Sequence, residues 1–381
     1  MLQRLRTGNL PLTAISLAGV LTLFGIIFVT SATYDPDQAL GMGREARAQL
    51  QWWLIALVAA VGVGHVRLSF WKELAWPLYV LALLVIGFMI AAADTPLVPR
   101  IKGQANWIVL GSLRVQPVEM IKLATLIALA RLLSYPWFNV REWQHLGLAL
   151  VIAGLPSALI AKSADMGSAL TFVPMAAGVL VVSGMRFRHF AMLALAVVGL
   201  AALVIAFLPR DGYQWKRIQA WQNPDAYALA EAYQTARSVR SIGSGQGTGK
   251  GWAAGDQNRL GWVPEKHTDL ILAVVGEETG FAGTLPLVLL IAGFGAACLI
   301  AAGRCRDPAG TLLCAGFASL IVGQASINLA VATNLMPVTG VTLPFISYGG
   351  SSLLACWIGV GLVTGACADR KSKGSLGGLT R

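Results

Sequence analysis

Residues 209–268 gather Arg210, Lys216, Arg217, Arg237, Arg240, Lys250, Arg259 and Lys266 around a glycine-rich stretch, Gly243-Ser-Gly-Gln-Gly-Thr-Gly-Lys-Gly251. Glycines let backbone N–H groups approach an anion closely, and Lys or Arg neutralises its charge, so the segment suits a phosphate-bearing ligand. A flexible solvated linker is the other reading. The stretch is not a P-loop, because Ser244 and Gly251 occupy the places where that loop needs Gly and Ser or Thr. The loose GxGxxA match that starts at Gly249 is also set aside, since no strand precedes it. The basic segment ends in Gly261-Trp-Val-Pro-Glu-Lys-His-Thr-Asp269, directly before an apolar run that contains Glu277 and Glu278. A carboxylate at a membrane–water boundary beside cations can act as a general base, which makes Asp269 the candidate. The same position also reads as a helix cap, with Thr268 or Asp269 meeting free N–H groups and the two glutamates favouring the helix N-terminus. Spacing alone does not separate the two readings.

Other polar groups interrupt apolar runs. Glu119 and Lys122 stand at i, i+3 and share a helix face, and Asp165 lies at a turn between two runs. Ionised groups at this depth normally face an interior cavity, so Lys122 with Glu119 or Asp165 is a candidate polar centre, for catalysis or for helix packing. The segment Pro337 to Ser352, preceded by Asn328 and Asn334, is too polar to meet lipid. Non-helical backbone at membrane depth is tolerated only against protein or a water-filled cavity. Ser347, Tyr348 and Ser351, with Glu265 and Thr268, are therefore the expected cavity lining, against the alternative of a plain turn.

The elements that must position these residues are membrane helices. The chain has 381 residues, 56% of them hydrophobic and only 12% charged, which excludes an ordinary soluble domain. Apolar runs fall at approximately 11–31, 52–66, 74–93, 117–134, 145–161, 168–184, 189–208, 270–302, 309–333 and 352–368. The expected fold is an all-α integral membrane protein of about ten transmembrane helices. Residues 1–381 then form a single polytopic domain, with 209–268 as one long extracytoplasmic loop between the seventh and eighth spans. Basic residues in short loops are retained inside. Arg4/Arg6, Arg67/Lys72, Arg131/Arg141, Arg186/Arg188, Arg304/Arg306 and Arg370/Lys371/Lys373 all fall on one side, which places both termini in the cytoplasm. The net charge of +11 is thus a matter of topology, and nucleic acid is not an expected partner. Trp52, Trp53, Trp71, Trp76, Trp107, Trp137 and Trp143 sit near span ends as interfacial anchors. Cys298, Cys305, Cys314, Cys356 and Cys367 show no metal-ligand spacing and read as ordinary helix residues; no metal site is identified. No internal repeat supports an inverted-repeat transporter.

Five ordered motifs resemble those of the shape, elongation, division and sporulation family, nearly end to end. They are Gly111 with Gln116-Pro-Val-Glu-Met-Ile-Lys122; Asp165-Met-Gly167; Tyr233-Gln234 with Ser241-Ile-Gly-Ser-Gly245; Pro264 to Asp269; and Pro337 to Ser352. Gly249 to Trp252, Gly255 to Gln257 and Leu343 to Phe345 look more like the rod-shape branch than the division branch. The resemblance implies a bacterial inner-membrane peptidoglycan glycosyltransferase that polymerises lipid II during elongation and cell-shape maintenance, with a class B penicillin-binding protein as partner. Asp269 matches the family's essential aspartate and would be the general base. Lys122 and Asp165 match its intramembrane polar pair. The leaving diphosphate would meet cations among Arg210, Arg217, Arg237, Arg240 and Lys250, with a divalent ion (Mg or Mn) as an optional cofactor. Departures are Ser163-Ala164 before Asp165, Asn106 where an arginine is usual, and Leu270-Ile-Leu272 after Asp269; Asn106 removes a charge near the site. A lipid II flippase and a noncatalytic scaffold are the competing functions.

Overall fold

The computed structural model describes residues 10–34, 41–101, 103–111, 113–207, 210, 213–222 and 233–368. Arg4, Arg6, Arg370, Lys371 and Lys373, which entered the orientation argument, lie outside them. The elements in order are α1 (Leu10–Ala32), α2 (Arg44–His65), α3 (Leu68–Ala91), β1 (Ile108–Leu110), β2 (Leu113–Val115), α4 (Val118–Leu133), α5 (Trp143–Lys162), α6 (Met166–Leu170), α7 (Phe172–Val182) and α8 (Phe187–Phe207). Then follow α9 (Tyr213–Gln222), α10 (Tyr233–Ser244), α11 (Asp256–Arg259), α12 (Ile271–Ala302), α13 (Pro308–Ala332) and α14 (Gly350–Ala368).

A helix satisfies its backbone internally, and so a long apolar run in lipid has little choice but to coil. Among the described residues, seven helices are long and apolar enough to cross a membrane: α1, α2, α3, α5, α12, α13 and α14. Shorter apolar helices cover Met166–Val182 and Phe187–Gly199, and α4 supplies 16 more residues, nearly all buried. Each expected run therefore holds a helix, and the chain is a multi-pass membrane protein. Some 72% of the apolar stretch of α13 and 67% of that of α14 is buried, against 22–44% for the other five long helices, so these two, with α4, form the centre of the bundle. Leu23, Ile27, Val58, Leu84, Leu195 and Leu289 are exposed on the periphery, as expected of surfaces that face acyl chains. Small residues bring helices close: a Cβ on Gly361 of α14 would stand 2.5 Å from the Ala60 carbonyl oxygen of α2.

Three features depart from the expectation. The run 168–184 is divided into α6 and α7 at Thr171, whose hydroxyl donates to the Ser168 carbonyl at 2.6 Å. A short antiparallel hairpin, β1 with β2, interrupts the all-α plan, turning at Gly111 with φ of 62°. Residues 209–268 are not a featureless linker, since α9, α10 and α11 lie within them.

Candidate active site

The glycine-rich stretch explains itself through a break in α12. Inside that helix Gly280 adopts φ 60° and ψ −160°, backbone that is essentially open to glycine only. A break there disconnects the carbonyls of Glu277 and Glu278 from the N–H groups of Phe281 and Ala282, their i+4 partners. The loop takes up all four groups. Lys250 N donates to Glu277 O at 3.0 Å and Gly251 N to Glu278 O at 2.9 Å, while Phe281 N donates to Gln246 O at 2.8 Å and Ala282 N to Gly247 O at 2.9 Å. Gly249 N is also engaged, donating to Gly245 O at 2.8 Å. This corrects the reading of the stretch as an anion cradle: two of its amides and two of its carbonyls replace the bonds that the membrane helix loses at the break.

The side chains fasten the same junction. Lys250 Nζ lies 2.9 Å from Glu277 and 3.0 Å from Asp256. The hydrogen bond to Glu277 is the main cause that holds the Lys250 ammonium above its usual range, and burial opposes it. Lys250, expected among the diphosphate contacts, is thus committed to two carboxylates. Glu277 also accepts from Ser241 Oγ (3.2 Å), Gln257 N (3.0 Å) and Asn258 N (3.1 Å). Glu278 accepts from the Ser31 hydroxyl and from Asn258 Nδ2 (2.8 Å). Lys266 donates to Asn258 O at 2.6 Å, and burial lowers its pKa against the attraction of Glu278 and Glu277. Gly280→Ala is expected to destabilise the protein by about 1–3 kcal/mol from the backbone alone. Its Cβ would also stand 2.4 Å from Gly249 N, so detergent-phase thermal unfolding should fall and protease should cut 243–251 faster.

Asp269 lies at the start of this helix, half-buried. Neither it nor Thr268 is the capping residue: Leu270 holds the N-cap position with no side-chain cap bond. Thr268 Oγ1 instead donates to Glu265 Oε2 at 2.9 Å. The backbone around Asp269 is zipped to the segment that runs from Pro337 to Ser352. Asn328 Nδ2, on α13, donates to both Asp269 O (2.8 Å) and Val341 O (2.7 Å). Ser347 Oγ donates to Thr268 O at 2.6 Å, and Tyr348 N to His267 O at 2.8 Å. On the side-chain face, a Cβ built on Gly340 would lie 3.6 Å from Asp269 Oδ2, so the carboxylate looks onto this segment's bend.

The segment itself is irregular, and its polar groups are held largely by neighbouring elements, as non-helical backbone at membrane depth requires. Gln49 of α2 donates to Ser347 O at 3.1 Å and accepts from Gly349 N at 3.3 Å. Ser351 Oγ accepts from Gln116 N at 3.0 Å, and Thr342 Oγ1 lies 3.0 Å from Ser352 Oγ. Ser347 and Ser351, expected to line a cavity, are here fasteners of the fold. Tyr348 is half-buried with its ring 5.8 Å from that of His267, and burial raises its phenol's pKa.

The expected polar centre divides in two. Lys122, 2% exposed, donates to Glu119 (2.9 Å to Oε2) and to Gln324 Oε1 (2.8 Å). Asp165 caps α6 by accepting from Ser168 N at 3.0 Å and accepts from Asn106 Nδ2 at 2.8 Å. Of the two partners expected for Lys122, Glu119 is the one it pairs with, while Asp165 is engaged with Asn106 and Ser168. Asn106, the departure noted from the motif, is the neutral group facing Asp165. Lys122 nonetheless reaches the site indirectly. Gln324 passes the network on to Thr342 O at 3.1 Å, and Gln324 and Asn328 are one turn apart on the same face of α13. One helix face thus joins Lys122, the 337–352 segment and the Asp269 backbone.

The cations separate likewise. Arg217 of α9 donates Nη1 to Val338 O at 2.9 Å, and Trp221 donates to Asn334 O at 3.0 Å, so α9 docks on the segment beside Gly340. Arg237 stacks over Tyr233 (5.1 Å) and Trp262 (5.0 Å). Arg210 and Arg240 are exposed. Gln324, Gln49 and Gly280 were not foreseen; an amide within an apolar helix was the available signal for Gln324, whereas Gln49 stands in a polar helix start beside Glu45, Arg47 and Gln51.

Such a site, built where a broken helix and an irregular segment meet inside a helical bundle, defines a multi-pass membrane protein with its polar groups gathered at one end of α12. The FtsW, RodA and SpoVE family of cell cycle proteins matches residues 12–372, and the chain belongs to it. It is 34% identical over 364 residues to a probable peptidoglycan glycosyltransferase FtsW of Hahella chejuensis, covering 91% of this chain and 87% of that one. It is 28% identical over 351 residues to the peptidoglycan glycosyltransferase MrdB of Escherichia coli K12, covering 92% and 91%. Among solved structures it resembles a chain from a peptidoglycan synthase complex that coordinates polymerization and crosslinking. There the TM-score is 0.77 at 29% identity over 94% of this chain and 98% of that one. The rod shape determining protein RodA of Thermus thermophilus matches with a TM-score of 0.69 at 27% identity, over 94% and 96%.

Proposed function

We propose that this chain is a peptidoglycan glycosyltransferase that polymerises lipid II at the outer face of a bacterial plasma membrane, in cell-wall elongation and cell-shape maintenance. Its relatives' activity supports the reaction class. The branch rests on the rod-shape-like motif stretches. The basic residues of the short loops support an orientation with both termini in the cytoplasm and Asp269 outside. Residues 1–381 act as one polytopic unit, with 209–268 as its extracytoplasmic loop.

The single observation that carries the mechanism is that a half-buried carboxylate and a guanidinium share one support. Asp269 looks onto Gly340, and Arg217 is anchored on Val338, two residues away. The Asp269 carboxylate takes the proton from the acceptor sugar's hydroxyl, whose oxygen attacks the anomeric carbon of the donor. The bond from that carbon to the polyprenyl diphosphate breaks, and the leaving group departs with the electron pair. Arg217 meets its developing charge, with Arg210, Arg237 and Arg240 as further cations of the same loop. The polyprenyl tails stay in the bilayer beside the helices. A class B penicillin-binding protein is the partner that this reading assigns, by analogy with the synthase complex.

Kinetics of Arg217→Gln test the shared support. Loss of a charge-assisted hydrogen bond worth about 1.5–3 kcal/mol should lower kcat/KM for lipid II by roughly tenfold or more. Unchanged kinetics in a folded variant would remove Arg217 from the reaction.

A further inference from the structure

At the far end of α12, a 32-residue helix on the order of 45 Å long, three cysteines from different elements meet. Cys305 lies in the connection between α12 and α13, Cys314 on α13 and Cys367 in the last turn of α14. Cys305 Sγ is 3.9 Å from Cys314 Sγ and 3.9 Å from Cys367 Sγ, and all three sulfurs lie within 4.8 Å of one another. Nothing in the proposed reaction uses them.

The spacing matches a coordination polyhedron. With a metal–sulfur bond of about 2.3 Å, two thiolates of a tetrahedral ion stand about 3.8 Å apart and two of a trigonal ion about 4.0 Å. The scaffold beneath is fixed. Cys305 N donates to Ala302 O at 3.2 Å, and the next element is capped by Asp307, which accepts from Ala309 N (2.9 Å) and pairs with Lys72 at 2.7 Å. Cys305 and Cys367 both direct their thiols toward the Ala301 carbonyl oxygen, at 3.4 and 3.8 Å, which draws together two sulfurs from separate elements.

We propose that Cys305, Cys314 and Cys367 form a three-thiolate site for a soft, closed-shell metal ion of the zinc, cadmium or copper(I) class, pinning the α12–α13 connection to the end of α14. Thiolate donors select such ions over magnesium or calcium. A divalent ion displaces three thiol protons to solvent and leaves one net negative charge, next in sequence to the exposed Arg304 and Arg306. On the proposed orientation the site faces the cytoplasm, where thiols stay reduced and available as ligands.

The test is a titration of the purified, metal-free full chain with Cd²⁺ in a non-thiol reductant. The expected result is a sulfur-to-cadmium charge-transfer band that saturates at a single ion per chain and raises the thermal unfolding temperature. It should be retained in Cys356→Ala and lost in Cys305→Ser and Cys367→Ser, each with unchanged helical circular dichroism. No saturable band in the wild-type chain overturns the proposal, as does a full band in the Cys305→Ser/Cys314→Ser/Cys367→Ser variant. Because the readout is metal binding, its failure leaves the glycosyltransferase reading untouched, and the converse also holds.

Discussion

Asp269→Ala should reduce lipid II polymerisation by about 10²–10⁴-fold, the usual contribution of a positioned general base. The loss is expected in kcat, because the substituted atoms act on the proton moved in the transition state. The fold should survive. Asn328 holds Asp269 through its backbone carbonyl, and Leu270, not Asp269, occupies the N-cap of α12. Asp269→Asn keeps the shape but not the basicity and should lose as much as the alanine variant. Gel-resolved polymer from each variant, with circular dichroism as the control, checks this. An active Asp269→Asn would mean that the side chain positions the substrate and does not take a proton.

Lys122→Met should destabilise the protein by about 3–5 kcal/mol, because it strands Glu119 as an unpaired charge in the bundle. Both side chains of that pair are under 10% exposed, so water cannot take over from the ammonium. The double variant Lys122→Met/Glu119→Leu should recover most of the loss, since apolar replacement of a buried pair is often neutral. Activity should recover less well than stability. Gln324 would lose the ammonium that holds its Oε1 and would be freer to release Thr342, loosening the segment beneath Asp269. Thermal unfolding in detergent gives the stabilities. Additive effects of the two substitutions would contradict the pairing.

How far the residues alone lead is clearest at α12. Hydropathy locates the run, and the carboxylate at its mouth is visible as the end of a basic loop, since charge and period are local properties. The break at Gly280 is not visible. Glycine is common in membrane helices, and what makes this one a break is the set of four backbone groups exchanged with residues 246–251, a tertiary fact. For the same reason the glycine-rich stretch reads as an anion cradle when two of its amides and two of its carbonyls in fact serve a helix. Lys122 is a comparable case. Its spacing from Glu119 shows that pair, but Gln324 is 202 residues away and nothing local announces it. Asp165 caps a five-residue helix that periodicity is too coarse to detect, and the two strands of the hairpin, three residues each, are shorter still. The cysteines at 305, 314 and 367 look unrelated because the ends of three helices, not the chain, bring them together.

The central claim, that the outer end of α12 forms glycosidic bonds, is tested most directly by giving the purified protein, with a transpeptidase-inactive penicillin-binding protein partner, fluorescent lipid II in proteoliposomes. The account predicts a ladder of glycan strands that disappears with Asp269→Ala. Lipid II that crosses the bilayer while remaining monomeric, in a preparation shown to be folded and partner-bound, would contradict it.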